Sequence, residues 1–143
     1  MRQIPGYPLW IGHVGDVRDL RSLLSADITA VVDLALNEPP ATITRDLVYC
    51  RFPLLDGAGN PPWLLRAAVE AVAGFVRSHV PTLLFCGAGM SRSPCVAAAA
   101  LALVRQCTLA DAITLVTGTG PIDASPALLS DLQTILAART VAS

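Results

Sequence analysis

The sequence predicts an α/β fold, a central β-sheet flanked by helices, on three observations. Short apolar runs with strand character fall in the first half and once more at 81–85. Amphipathic runs of helical period separate them, and beyond residue 93 only helical patterns remain.

Leu9-Trp10-Ile11-Gly12 is an apolar run closed by glycine, the first expected strand. Val17, Leu20 and Leu24 fall at helical spacing, with Asp16 as the expected cap. Residues 29–36 predict a buried strand, ended by Asn37-Glu38-Pro39-Pro40, and 47–54 another, with Val48, Cys50 and Phe52 alternating. After the loop Asp56-Gly57-Ala58-Gly59-Asn60, Asn60 is expected to cap a helix begun by Pro61-Pro62. Its buried face is Leu65, Val69, Val72 and Val76. Trp10 and Trp63 are expected to be packing anchors. Residues 81–85 have the composition of a fully buried central strand. A helix follows from Pro94 to about Val104, apolar nearly all round and therefore packed on most sides. Thr108-x-x-Asp111 predicts a capped helix to about Val116, and Ser125-Pro126 a last one on Leu129, Leu132 and Leu136.

At 143 residues the chain suits one domain, 1–143, without repeats or a linker. Charges are spread along it, which argues against a disordered tail. The run Cys95–Val104 is too short to span a bilayer, and residues 1–6 lead into no signal-peptide pattern, so a cytoplasmic protein is expected. The net charge of −1 offers no field to draw nucleic acid or anionic lipid, and a monomer is the expected state. All ten basic residues are arginine. Four cysteines without a Cys-x-x-Cys pair, and two histidines, His13 and His79, at no suggestive spacing, predict no metal site.

The segment that carries chemistry is Cys86-Gly87-Ala88-Gly89-Met90-Ser91-Arg92-Ser93-Pro94. A cysteine six residues before an arginine arises by chance at about 0.3 per chain of this composition; requiring Gly89 and Ser93 lowers that to roughly one in a thousand. The segment also joins a buried strand to a helix start. Such a turn aims successive backbone N–H groups inward as a nest for an anion, here 87–92. Gly87 and Gly89 allow close backbone approach. Arg92 supplies a planar fork matched to two phosphoryl oxygens. The same positive potential favours the ionised sulfur of Cys86, and Ser93 is placed to donate a hydrogen bond to it. Asp56, in a loop after a strand, is the candidate proton donor for a departing oxygen.

This segment resembles the phosphate loop of the dual-specificity, cysteine-based protein tyrosine phosphatases, His-Cys-x-x-Gly-x-x-Arg-Ser/Thr. Phe52-Pro53-x-x-Asp56-Gly57-Ala58 is similar to the general-acid loop of compact members. Leu9–Gly12, Leu109-x-Asp111-Ala112 and Ser125-Pro126 extend the likeness over most of the chain. The resemblance implies a central, mostly parallel sheet flanked by helices. It implies Cys86 as nucleophile, Arg92 as phosphate clamp, Asp56 as acid then base, and Ser93 as thiolate-stabilising hydroxyl. Gly87, Ala88, Gly89, Met90 and Ser91 complete the implied phosphate site with Arg92. The reaction would pass through a phosphocysteine, with no cofactor, on a phosphorylated protein or a small phosphomonoester.

The chain departs from the pattern at Phe85, where the family has a hydrogen-bonding histidine, and at Gly120-Pro121 and Ser125-Pro126-Ala127, where it often has Arg-Pro and Ser-Pro-Asn. Weaker thiolate stabilisation and looser support of the loop are the expectations. Gly87 and Met90, in place of lysines, argue against phosphoinositide specialisation. By resemblance Cys50 is a candidate for a disulfide with Cys86, against a plain buried strand residue; Cys95 and Cys107 are core positions. Arg45 and Arg51 are weighed as substrate contacts against solvated charges, with solvation favoured. Two other readings stay open: rhodanese-like sulfur transfer, and a phosphate-binding pseudophosphatase of low activity.

Overall fold

The computed structural model describes residues 1–36, 46–87 and 90–142, the last four by backbone alone. Five strands form one sheet in the order β1-β2-β5-β3-β4: β1 (Arg2–Gln3), β2 (Leu9–His13), β3 (Ala30–Asp33), β4 (Val48–Arg51) and β5 (Thr82–Cys86). The β2–β5, β5–β3 and β3–β4 pairings are parallel; only the short β1 runs antiparallel, against β2. The α/β fold with a mostly parallel sheet is as expected. No helix among the described residues is long and apolar enough to cross a membrane.

Alternation along β5 divides the core. Leu84 and Cys86 face a large cluster with α3 (Pro62–Arg77), α4 (Arg92–Arg105), α5 (Leu109–Thr117) and α6 (Pro126–Ala142). Leu83 and Phe85 face a smaller one that includes Val17, Leu23 and Ile28. The α3 stripe is buried at Leu65, Val69, Val72 and Val76 as its spacing predicts. In α4 every residue from Ser93 to Ala102 is buried, which fits a helix apolar all round. Alanines at 97–100 let it lie close to the sheet and α3.

Several local expectations are corrected. The helix expected from Asp16 is two short ones, α1 (Val14–Val17) and α2 (Leu20–Ser25). Asp16 is not the cap of α1; His13 is, and Asp16 closes the box by accepting from the His13 N–H at 2.9 Å. Asp19 breaks the run by capping α2 through the Ser22 N–H and hydroxyl. The break leaves Leu20 and Leu24 exposed. Strands β3 and β4 are shorter than predicted, and Val48 is exposed on the edge strand. In α6 Leu128 rather than Leu129 is fully buried. Trp63 is no anchor, with 66% of its surface exposed. The turn 37–40 and Arg45 lie outside the described residues.

Arg51 is half-buried and engaged by the chain itself rather than a solvated charge. Its Nη2 donates to the carbonyls of Ala35 and Leu36, and its Nε lies 3.9 Å from the buried Asp33 carboxylate. Asp33 also accepts from the Ala35 N–H and the Tyr49 hydroxyl, so this polar cluster ties the ends of β3 and β4.

Candidate active site

The site lies at the C-terminal edge of the parallel strands, where β5 ends between β2 and β3. In open α/β sheets the connecting segments diverge at such an edge and leave a crevice. Cys86 is the last residue of β5, one position beyond the predicted strand end, and is 2% exposed. Arg92 is the first residue of α4, so the loop between them turns from sheet to helix as the motif requires. The Gly87 carbonyl accepts from the Val14 N–H at 3.5 Å, which ties the start of the loop to α1. Ala88 and Gly89 lie outside the described residues.

A pocket of about 260 Å³ opens here, lined by Asp56, Cys86, Met90, Ser91, Arg92 and Asp123. It brings together Asp56, Cys86 and Arg92. Cys86 is buried at its base, Arg92 is half-buried, and Asp56 and Asp123 are exposed at its rim.

Arg92 Nη1 donates to the Leu54 carbonyl at 3.1 Å and, more weakly, to that of Leu34 at 3.5 Å. These bonds orient the guanidinium and fasten it to the segment that carries Asp56. Ser91, expected only among the phosphate-loop residues, is the hub of the site. Its hydroxyl donates to Asp56 Oδ1 at 2.6 Å and accepts from the Ser125 N–H at 3.1 Å. Helix, acid loop and the 118–125 segment therefore meet at one buried hydroxyl.

Asn60 does not cap α3, whose N-cap is Pro61. It braces the acid loop instead. Its Oδ1 accepts from the Leu55 N–H at 2.7 Å, and its Nδ2 donates to the carbonyls of Leu55 at 2.9 Å and Gly57 at 3.4 Å. An amide serves because it offers both donor and acceptor to the loop's own backbone. Gly59, at φ +99°, supplies the turn that brings Asn60 back over the loop. Asn60→Ala is expected to cost about 1–3 kcal/mol in urea denaturation, because backbone groups lose buried partners. A change within experimental scatter would remove Asn60 from this role.

Ser93 is fully buried, but its hydroxyl makes no hydrogen bond, so the expected bond to the Cys86 sulfur is not formed in this structure. Phe85 packs on the opposite face of the sheet from Cys86, opposite Asp33 in the β3 register. Cys50 pairs with Val32, which pairs with Leu84. Two strand spacings place it roughly 10 Å or more from Cys86. A disulfide needs Cα atoms within about 7 Å, so that pairing is excluded by the register. All four cysteines are free.

Cys95 is buried beneath the site. Burial first, then the negative charges of Asp56 and Cys86, push its thiol up to about 12 against the downward pull of Ser91 and the Ser125 N–H. It stays protonated at neutral pH and is no rival nucleophile. The unfolded chain releases this proton above about pH 9, whereas the folded chain holds it to about 12. Unfolding therefore releases protons in that window, and stability falls as pH rises. Cys95→Ala is expected to lessen the loss between about pH 8.5 and about pH 10.5 by about 2 kcal/mol, read by urea denaturation. Equal slopes for both proteins would contradict the burial assignment.

The segment 118–125 departs from the family pattern, yet it is held. Arg2 Nε donates to Thr119 Oγ1 at 3.0 Å, and Arg2 Nη2 to the Pro121 carbonyl at 3.2 Å. A Cβ at Gly120 would sit 3.3 Å from that guanidinium. The Asp123 N–H donates to the Met90 carbonyl at 2.7 Å. The support sought in local sequence arrives from the N-terminal strand and from backbone amides.

No protein-family model matches the chain, and no curated protein matches it. Solved structures do. Human DUSP28 is 24% identical, with each chain covered over 100% of its length and a TM-score of 0.87. The chain has the dual-specificity phosphatase fold. A mouse putative dual specificity phosphatase, complexed with zinc tungstate, matches with 23% identity, 99% of this chain and 89% of that chain covered, and a TM-score of 0.86. Human tyrosine phosphatase-like serine/threonine/tyrosine-interacting protein shares 19% identity over 98% of this chain and 97% of its own, with a TM-score of 0.85. Within the dual-specificity phosphatase fold of this chain, the pocket of Cys86, Arg92 and Asp56 lies at the strand-to-helix turn that the sequence motif marks.

Proposed function

We propose that residues 1–143 act as one phosphatase domain that hydrolyses phosphate monoesters through a phosphocysteine on Cys86. The observation that carries this reading is the joint lining of one small pocket by Cys86, Arg92 and Asp56. Thirty residues of chain separate the acid from the sulfur, yet both reach the same cavity.

The thiolate of Cys86 attacks phosphorus in line; the S–P bond forms as the ester P–O bond breaks. Arg92 Nη1 is held by Leu54 and Leu34, which leaves Nε and Nη2 for the phosphoryl oxygens. Asp56 gives its proton to the departing oxygen, then takes one from the water that attacks phosphorus. The S–P bond breaks, freeing inorganic phosphate and the thiolate. The Ser93 hydroxyl, buried without a partner, donates to the sulfur as it leaves. Positive charge and loop amides at 87–92 stabilise the transition state, so the reaction calls for no metal or cofactor. The tungstate of the mouse neighbour is a tetrahedral oxyanion like phosphate, which agrees with an oxyanion site in this fold. The proposed setting is the cytoplasm, where Cys86 stays reduced. The proposed working state is a monomer.

Hydrolysis of p-nitrophenyl phosphate, inhibited by vanadate, is the test. Absence of turnover with intact vanadate binding would favour a phosphate-binding module instead, a reading supported by the unformed Ser93–Cys86 bond. Thiosulfate:cyanide activity in place of hydrolysis would favour sulfur transfer.

A further inference from the structure

The second carboxylate of the pocket has no part in the reaction above. We infer that Asp123 sets substrate charge preference, selecting phosphopeptides that carry a basic residue beside the phosphorylated one; this rests on the phosphomonoester reading.

Three observations carry it. Among the described residues, the charged side chains lining the pocket are one guanidinium, Arg92, and two carboxylates, Asp56 and Asp123, beside the Cys86 sulfur. One arginine matches one phosphoryl group, and among the described residues no second cation lines the pocket to receive another anion. Next, Asp123 is fixed in place rather than sampling a free loop. Its own N–H is bonded to the Met90 carbonyl, Ser125 to Ser91, and Arg2 holds Thr119 and Pro121 on its other side. Finally, among the described residues no arginine forms an ion pair with the Asp123 carboxylate, so none of them neutralises its charge.

Position decides which part of the substrate feels that charge. Asp123 is exposed at the rim while Cys86 lies buried at the base. The phosphorylated side chain reaches inward, and the residues flanking it remain at the rim beside Asp123. A flanking arginine or lysine is attracted there, and a flanking aspartate or glutamate repelled. Opposite charges a few ångströms apart at a wet surface shift binding by about three- to tenfold, less as salt rises.

The experiment uses full-length Cys86→Ser protein, which holds the phosphate without turnover. Fluorescence anisotropy at low salt gives Kd for two phosphotyrosine peptides of equal length, one flanked by arginines and one by aspartates. The basic peptide is expected to bind about tenfold more tightly, and adding Asp123→Asn should shrink that ratio about fivefold. Asp123→Glu should preserve it. Asp111→Asn, which removes the same charge from α5, should leave the ratio unchanged. A ratio indifferent to Asp123→Asn, an equal response to Asp111→Asn, or failure of both peptides to bind overturns the proposal. Hydrolysis of p-nitrophenyl phosphate by the unsubstituted protein is read separately. Its absence sinks the catalytic reading alone, while a charge ratio that Asp123→Asn leaves unchanged sinks the role of Asp123 alone.

Discussion

Cys86→Ser is expected to lower kcat for p-nitrophenyl phosphate by about 10⁴-fold or more. A serine hydroxyl is far less acidic than a thiol and is a weak nucleophile while it keeps its proton. The substitution is close to isosteric at a residue 2% exposed, so the pocket should keep its shape. Vanadate affinity should therefore fall much less than turnover. No other thiol can take over. Cys95 is buried and protonated well past neutral pH, and Cys50 stands two strands away. Rapid quenching during turnover should trap phosphate on the unsubstituted protein and none on the variant. Residual turnover within tenfold of the starting protein would mean that the sulfur is not the nucleophile.

The parts of this site that were legible in the sequence are those whose geometry is local. Cys86 to Arg92 is a contiguous stretch of sequence, with a buried strand ending at one end of it and a helix starting at the other. Asp56 was legible for the same reason, through a loop pattern of a few residues. The fold class followed from short buried runs and one helix apolar on every side, because burial on both faces leaves a compositional trace.

What stayed hidden depends on distant segments or on competition between polar groups. Ser91 joins Asp56 and Ser125 across separations of 35 and 34 residues, and Arg2 reaches Thr119 across 117. No period or spacing encodes such contacts. Asp123 gave no signal, since an aspartate after Pro121-Ile122 reads as any turn residue. Asn60 was seen but given the wrong partner. Before a helix an asparagine can cap forward or brace the loop behind it, and Pro61-Pro62 offers no N–H at the next two positions, which favours the loop. Asp19 likewise split a plausible helix by capping from within it.

Asp56→Ala is expected to reduce kcat for phenyl or alkyl phosphates by about 10²- to 10⁴-fold, and that for p-nitrophenyl phosphate much less. The difference arises because nitrophenolate departs without a proton, whereas an alkoxide does not. Asp56 is exposed at the rim, and Ser91 holds Oδ1, which leaves Oδ2 for the leaving oxygen. Ser91 makes a second variant necessary. Asp56→Ala removes both the acid and a bond that links the loop to α4, while Asp56→Asn keeps an acceptor for the Ser91 hydroxyl and removes only the acid. If the carboxyl acts by proton transfer, alanine and asparagine should cost the same on alkyl substrates. Should asparagine restore most of the rate, Asp56 would be a positioning residue. The second rim carboxylate supplies the remaining control. A loss that grows with the basicity of the leaving group belongs to the acid, and it should follow substitution of Asp56. Were it to follow Asp123→Asn instead, the two carboxylates would exchange the roles assigned to them.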